Sequence, residues 1–305
     1  MFSGIWVPLV TPFRNGAVDL DALSTLTERL LDDGVDGIVA LGTTGEPASL
    51  SHAERLSVLD AVMEVSARRK PVLAGVGGVN TAAVCDEARA YAATGIDGVL
   101  VSAPYYLCPS SDGLVWHFKQ VAQAVGRLPV MLYNVPKRTG TDHNEDVIEQ
   151  LMALPNVAAV KECASHNFGW LGLQPLSMMT GDDAALIECM SHGGTGGVMA
   201  SAHLFAPRLL AVAGAMASGQ LATAKQLFEP LIEPIHLLFA QPNPAPLKAA
   251  LALRGLVRNE LRLPMTSSSI ELSAQLDACL ARVPAMPRTA AMPSGRKSHS
   301  ASSHA

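Results

Sequence analysis

The sequence predicts a closed (β/α)8 barrel of the TIM type with additional C-terminal helices, and three observations predict it. Short apolar runs alternate eight times with longer stretches of helical periodicity. The runs are apolar almost throughout rather than at every second position, as parallel strands covered by helices on both faces are. At 305 residues, with 49% hydrophobic and 16% charged residues, the chain can bury one core at the size that single α/β barrels reach.

The first unit is "IWVPLV" followed by "DLDALSTLTERLLDDG"; the second is "DGIVALG" followed by "SHAERLSVLDAVMEVSARR". "PVLAGVG" then precedes "TAAVCDEARAYAATG", and "DGVLVSAP" precedes "GLVWHFKQVAQAVG". "LPVMLYN" precedes "NEDVIEQLMAL", and "VAAVKE" precedes a segment, "CASHNFGWLGLQPLS", that is short and glycine-interrupted, so its helix is expected to be one turn or irregular. "LSMMTGDD" with "AALIECMSHGG" and "GGVMASA" with "FAPRLLAVAGAMASG" complete eight. An open doubly wound sheet is the competitor, but "PLVTPF" stands where its first-turn glycine fingerprint belongs. Residues 1–218 therefore read as the barrel and 219–283 as a helical extension, with helices in "LATAKQLFEPLIEPIHLLFA", "APLKAALALRGL" and "IELSAQLDACLARV". Residues 284–305, rich in Pro, Ser and Ala, read as a disordered tail.

A formal charge of -5 with acids and bases interspersed leaves no electrostatic footprint for nucleic acid or an anionic membrane. Small molecules are the expected partners. Cys85, Cys108, Cys163, Cys189 and Cys279 are scattered, odd in number and never spaced as C-x-x-C, which predicts reduced, buried thiols in a cytoplasmic protein. The N-terminal "MFSGIWVPLVTPF" has no basic leader. His117, His143, His166 and His192 lie at no ligand-like spacing, so they are expected as surface or capping residues and no metal is expected.

In such a barrel chemistry gathers where strands end. The second strand ends in Thr43 and Thr44, the fourth in Tyr105 and Tyr106, the fifth in Tyr133, the sixth in Lys161 and the seventh in "TGDD". Lys161 has a plain reading, with its stem packed and its ammonium reaching Glu162 or Asp182. The sharper reading is a Schiff-base lysine: desolvation disfavours an ammonium, a neutral amine attacks a ketone, and the iminium becomes an electron sink without a metal. Tyr133 on the adjacent strand can shuttle protons if neighbouring hydroxyls relay them. The glycine-flanked Thr43 and Thr44 can hold a small carboxylate, and the planar fork of Arg138 suits a second one.

"VPLVTPF", "GTTGE", "PYY", "YNVPKRTG", "VKE", "GDD" and the late "PNPAPLKAAL" and "LRLPM", in this order, resemble the pyruvate-dependent class I aldolase and lyase family, specifically its dihydrodipicolinate synthase branch. The resemblance implies condensation of pyruvate with aspartate 4-semialdehyde through a Schiff base on Lys161, with no separate cofactor. It implies Tyr133 as proton carrier, Thr43 and Tyr106 completing a hydroxyl relay, Thr44 holding the pyruvate carboxylate, and Arg138 receiving the second substrate's carboxylate. Gly181 and the carbonyl of Val198 would line the same pocket. The tyrosine matching Tyr106 reaches in from a neighbouring subunit in that family, which implies a dimer sharing sites and a homotetramer as the usual assembly.

Three other readings are weighed. N-acetylneuraminate lyases and 2-keto-3-deoxy sugar acid aldolases also use Tyr and Lys, but sialic-acid lyases look like "GSTGE" and lack the arginine of "RTG". A non-catalytic keto-acid-binding barrel would not need every relay position. Metal catalysis lacks spaced ligands. Lysine-inhibited members of the branch bind lysine at the dimer interface; here Pro47, Arg55, Val79 and Ala83 replace a serine, a histidine, an asparagine and a glutamate of that site, while Ala48, His52 and Tyr105 match. Insensitivity to lysine is the expectation.

Overall fold

Polar residues fix where the helices start. Asp19, Ser51, Asn80, Ser110 and Asn144 each accept a backbone N–H of the first turn, and Ser51 forms a reciprocal capping box with Glu54, satisfying donors that a helix start leaves unpaired. In the computed structural model, which describes residues 2–284 and 286, these caps lead into Leu20–Asp32 (α1), His52–Ser66 (α2), Thr81–Ala92 (α3), Ser111–Ala124 (α4) and Glu145–Met152 (α5). The strands between them are Gly4–Pro8 (β1), Gly37–Ala40 (β2), Val72–Val76 (β3), Gly98–Ser102 (β4), Val130–Asn134 (β5), Val157–Glu162 (β6), Ser177–Thr180 (β7) and Gly196–Val198 (β8). Each pairs in parallel with its sequence neighbours, and β1 closes the ring onto β8 with Gly4 opposite Gly196. The eight-unit reading holds. A short hairpin, Phe13–Arg14 with Ala17–Val18, was not legible: two-residue strands carry no periodicity.

Alternation along the strands makes two cores. Ile5, Val7, Ile38, Ala40, Leu132 and Val160 face the helices, whereas Trp6, Val39, Met131, Tyr133, Ala159 and Val198 fill the barrel interior. Trp6 fits because Gly37 is opposite: a Cβ there would sit 2.4 Å from the indole.

After β6 the chain makes one turn, Ser165–Asn167, and a four-residue helix, Phe168–Leu171 (α6). Gly169, Gly172 and Pro175 deny it length, as the sequence predicts. Leu186–Ser191 (α7) and Ala202–Ala217 (α8) finish the ring. The extension contributes Leu221–Phe228 (α9), Ile232–Leu238 (α10), Ala245–Leu253 (α11) and Ile270–Arg282 (α12); the first two part at the Pro230 turn, where proline lacks the N–H a continuous helix needs.

Buried charge ties this extension to the barrel loops. Lys248 on α11 pairs with Glu46 at 2.5 Å and donates to the Glu260 carbonyl at 2.9 Å. Arg262 holds both oxygens of Glu54 and donates to the carbonyls of Gly16 and Ser49. Lys248 and Glu46 are buried while Arg262 and Glu54 are half-buried, so it is in the Lys248–Glu46 pair that removing one member leaves an uncompensated buried charge, costing about 3–5 kcal/mol. Apart from Pro284 and Met286, the tail expected from residue 284 lies outside the described residues.

Candidate active site

Parallel register brings the two central groups together. Tyr133 and Lys161 are opposite residues of β5 and β6, both point into the barrel, and Lys161 Nζ lies 4.3 Å from the Tyr133 ring centroid. They are 7% and 6% exposed respectively. The plain reading of Lys161 fails on geometry: among the described residues it forms no ion pair with Glu162 or Asp182, Glu162 points to the other face of β6 and accepts from Asn134, Asn167 and the Ala164 amide, and Asp182 accepts from the Ala184 amide. Gly181 follows β7 and is close to the amine's stem. A Cβ there would lie 2.7 Å from Lys161 Cε and 2.3 Å from Cys163 Sγ, so only glycine leaves the lysine its place.

A cavity of about 640 Å3 opens at this end of the barrel. Thr43, Tyr106, Tyr133 and Arg138 line it together with Asn243, Arg262 and Met265 of the extension. Lys161, Thr44 and Val198 are buried beyond that lining. Thr43 begins a single turn, Thr43–Gly45, after β2. The Thr44 hydroxyl accepts a 3.0 Å bond from Asn243 Nδ2, so the extension holds one of the two threonines from behind. Sequence reasoning missed Asn243; the quoted "PNPAPLK" motif contained it without a role.

Arg138 is exposed on the one-turn helix Pro136–Thr139, which β5 enters directly and Gly140 ends at φ 72. Lys137 beside it is also exposed. Tyr106 is different again: it is 89% exposed and sits at φ 69, in the left-handed region that costs a bulky residue about 1–3 kcal/mol. Tyr105 before it is 43% exposed and Leu107 after it 59%. Within one chain, this turn does not bring the Tyr106 side chain into a packed site.

The surrounding electrostatics were not foreseen. Burial pushes the Glu162 carboxyl up to about 7, against the pull of its hydrogen bonds from Asn134 and Ala164. Burial likewise pushes Asp183 up to about 6, although the amides of Ser201 and Ala200 donate to it at 2.6 and 3.2 Å. Asp183 thereby ties the loop after β7 to the chain just beyond Val198. Desolvation pushes the Cys163 thiol up to about 11 even beside Lys161, which keeps it neutral and a poor competitor for an electrophilic carbonyl.

Two expectations are corrected. His117 and His143 are buried, not superficial, and burial pulls both down to about 4; each stacks edge-on against Phe118, a role their spacing could not reveal. Cys108 is exposed, whereas Cys85, Cys189 and Cys279 are buried; all five cysteines are free. No group of three or more potential metal ligands occurs among the described residues, and no described helix is long and apolar enough to cross a membrane.

Comparison with known proteins identifies a family. The profile described as the dihydrodipicolinate synthetase family matches residues 1–283. The 4-hydroxy-tetrahydrodipicolinate synthase of Phenylobacterium zucineum is 39% identical over 285 residues, spanning 92% of this chain and 97% of that protein. Among solved structures, the synthase of that name from Methylacidiphilum fumariolicum superimposes with a TM-score of 0.90 at 33% identity, covering 93% of this chain and 96% of the other. The Acinetobacter baumannii dihydrodipicolinate synthase, solved with pyruvate, gives 0.89 at 32% identity with coverage of 92% and 98%.

Proposed function

The chain belongs to the dihydrodipicolinate synthetase family, and from that membership we propose that it condenses pyruvate with L-aspartate 4-semialdehyde to 4-hydroxy-tetrahydrodipicolinate, a lyase step toward diaminopimelate and lysine. The observation that carries the assignment of roles is the buried Lys161 amine over the Tyr133 ring, on paired residues of adjacent strands. The Lys161 amine adds to the pyruvate ketone and expels water, forming the iminium. Loss of a proton from the methyl carbon gives the enamine, whose carbon attacks the aldehyde. The aldehyde substrate's own amine then displaces Lys161 at the imine carbon, closing the ring and freeing the enzyme.

Tyr133 carries protons in these steps, with Thr43 and Tyr106 as its relay. Thr44 holds the pyruvate carboxylate, Gly181 and the Val198 carbonyl shape the pocket around it, and Arg138 binds the carboxylate of the aldehyde. Arg138 at the cavity lining supports the synthase over a sugar-acid aldolase, whose acceptor needs no such cation. The exposed, strained Tyr106 supports a dimer in which that residue completes the partner's site, within a homotetramer. Residues 1–218 serve as the catalytic barrel, and 219–283 buttress its mouth through Asn243, Lys248 and Arg262. Five unpaired cysteines support a reducing, cytoplasmic setting.

The test is borohydride reduction with pyruvate, expected to add one reduced pyruvate mass to the peptide carrying Lys161, and a coupled assay in which aspartate 4-semialdehyde outcompetes sugar aldehydes. Labelling at another lysine, or preference for a sugar aldehyde, would sink the assignment.

A further inference from the structure

Behind the inward faces of β5 and β6 lies a polar cluster that the chemistry above leaves unused. Asn134 and Glu162 follow Tyr133 and Lys161, oppose each other in register, and are both 0% exposed. Asn134 Nδ2 donates to Glu162 Oε1 and Oε2 at 3.0 and 2.9 Å. Asn167, on the turn before α6, donates to Oε2 at 3.3 Å, and the Ala164 amide donates to Oε1 at 2.7 Å. Neither asparagine can turn over. Asn134 Oδ1 receives the His143 amide at 3.2 Å and Asn167 Oδ1 receives the Trp170 indole at 3.0 Å; both partners can only donate. Both Nδ2 groups also reach Asp142 Oδ1, at 2.5 and 3.0 Å. Glu162 thus faces donors whose orientation is fixed from outside, and it meets them with both of its oxygens.

We propose that Glu162 is a positioning residue: by accepting from Asn134 and Asn167 it clamps the end of β6 to the end of β5 and sets where Lys161 stands relative to Tyr133. The acting groups and the clamping groups are consecutive residues on the same two strands, so a shift in one pair moves the other. A displacement of about 1 Å at reacting groups lowers rate on the order of a hundredfold. The clamp also explains how β6 stays in register although α6, the helix that follows it, is only Phe168–Leu171: Asn167, at the start of that turn, is one of its donors.

The inference rests on the Schiff-base reading of Lys161, and the experiment separates the two. Wild type, Glu162→Gln and Asn167→Ala are mixed with pyruvate and quenched with borohydride at a series of times. The reduced adduct on the Lys161 peptide is followed by mass, alongside kcat, both KM values and thermal unfolding. Glutamine keeps the volume but turns an NH2 toward donors. We expect adduct formation and kcat to fall about tenfold or more, aldehyde KM to change less than about twofold, and unfolding to stay cooperative. Asn167→Ala, which removes one donor, lowers the same parameters about threefold. A lowered unfolding temperature with unchanged kcat and adduct rate would mean a merely structural role and overturn the inference, as would a loss confined to aldehyde KM. Should Glu162→Gln not fold, wild-type kcat in Asn167→Ala overturns it alone. Absence of a wild-type adduct on Lys161 would instead remove the Schiff-base reading, and the clamp's purpose with it.

Discussion

The ends of β5 and β6 and the turn after β4 stand at the same mouth of the barrel but are built in opposite ways. Tyr133 and Lys161 are almost entirely buried, in paired register, with hydrogen-bonded neighbours behind them. Tyr106 is 89% exposed on a left-handed residue, followed by Cys108 at φ 45. Bond-making groups need fixed distances, and a strand in a closed sheet supplies them because every backbone group is paired on both sides. A strained turn cannot do this alone. It leaves the Tyr106 side chain unpacked within one chain.

The sharpest break of the comparison is Lys161→Ala, expected to lower turnover about a thousandfold or more, as losing a nucleophile does, while leaving the fold cooperative. Measurable full turnover in that variant would show that the buried floor is not the reacting region. Next comes Tyr106→Phe, expected to reduce kcat about a hundredfold because the proposed relay would lose a hydroxyl. Mixing it with Lys161→Ala subunits should regenerate some active sites, since the two defects then segregate into different pockets. No rescue in verified mixed oligomers would place Tyr106 in its own subunit and end the contrast.

Arg138→Ala sharpens the rim's part. Losing a charge-assisted contact worth about 1.5–3 kcal/mol should lower kcat/KM for the aldehyde about ten- to a hundredfold, with borohydride trapping of pyruvate unchanged. An unaltered aldehyde KM would reduce Arg138 to a surface cation.

A pH series probes the rim's anchor. Arg262 and the Ser51 amide hold Glu54 down at about 2 from the usual 4.5, so its folded form gives up protons more readily than its unfolded form. The stabilisation is complete above about pH 4.5 and is lost as pH falls toward 2. Glu54→Gln should lie below wild type in unfolding temperature at pH 6 and approach it near pH 2.5; a constant gap would contradict the linkage.

The smallest effect is expected from L-lysine. Arg55 is ion-paired with Glu87 and donates to the carbonyls of Pro47 and Leu50 at 3.0 and 3.2 Å, so in the groove that these two residues line with Val79, Ala83 and Asp86 a cation already stands and the Glu87 carboxylate is already engaged. Half-inhibition below about 1 mM, a binding free energy near -4 kcal/mol, would show that this groove still accepts lysine.

Legibility in the sequence followed the range of the interaction. Lys161 and Tyr133 stood out because each is a polar residue closing an apolar strand, a contrast visible within seven residues. Glu162 was visible in "VKE" only as a partner for its own neighbour. Its actual partners, Asn134 and Asn167, lie 28 and 5 positions away. Asn243, which reaches Thr44 across 199 positions, carried no local signal at all.

By itself the sequence determined the eight repeats, the helix starts and the positions where polar groups interrupt apolar strands, because periodicity and capping are set by residues a turn or two apart. It also determined the shortened α6, through glycines and a proline that act on their own backbone. Only the tertiary structure decided which strand-end residues meet. Closing the ring sets the register that puts Lys161 over Tyr133, leaves Tyr106 exposed at the mouth, and turns Asn134 and Glu162 into a buried pair. A hydrogen bond depends on angle and on tenths of an ångström between groups far apart in the chain, and the packed barrel alone supplies that geometry.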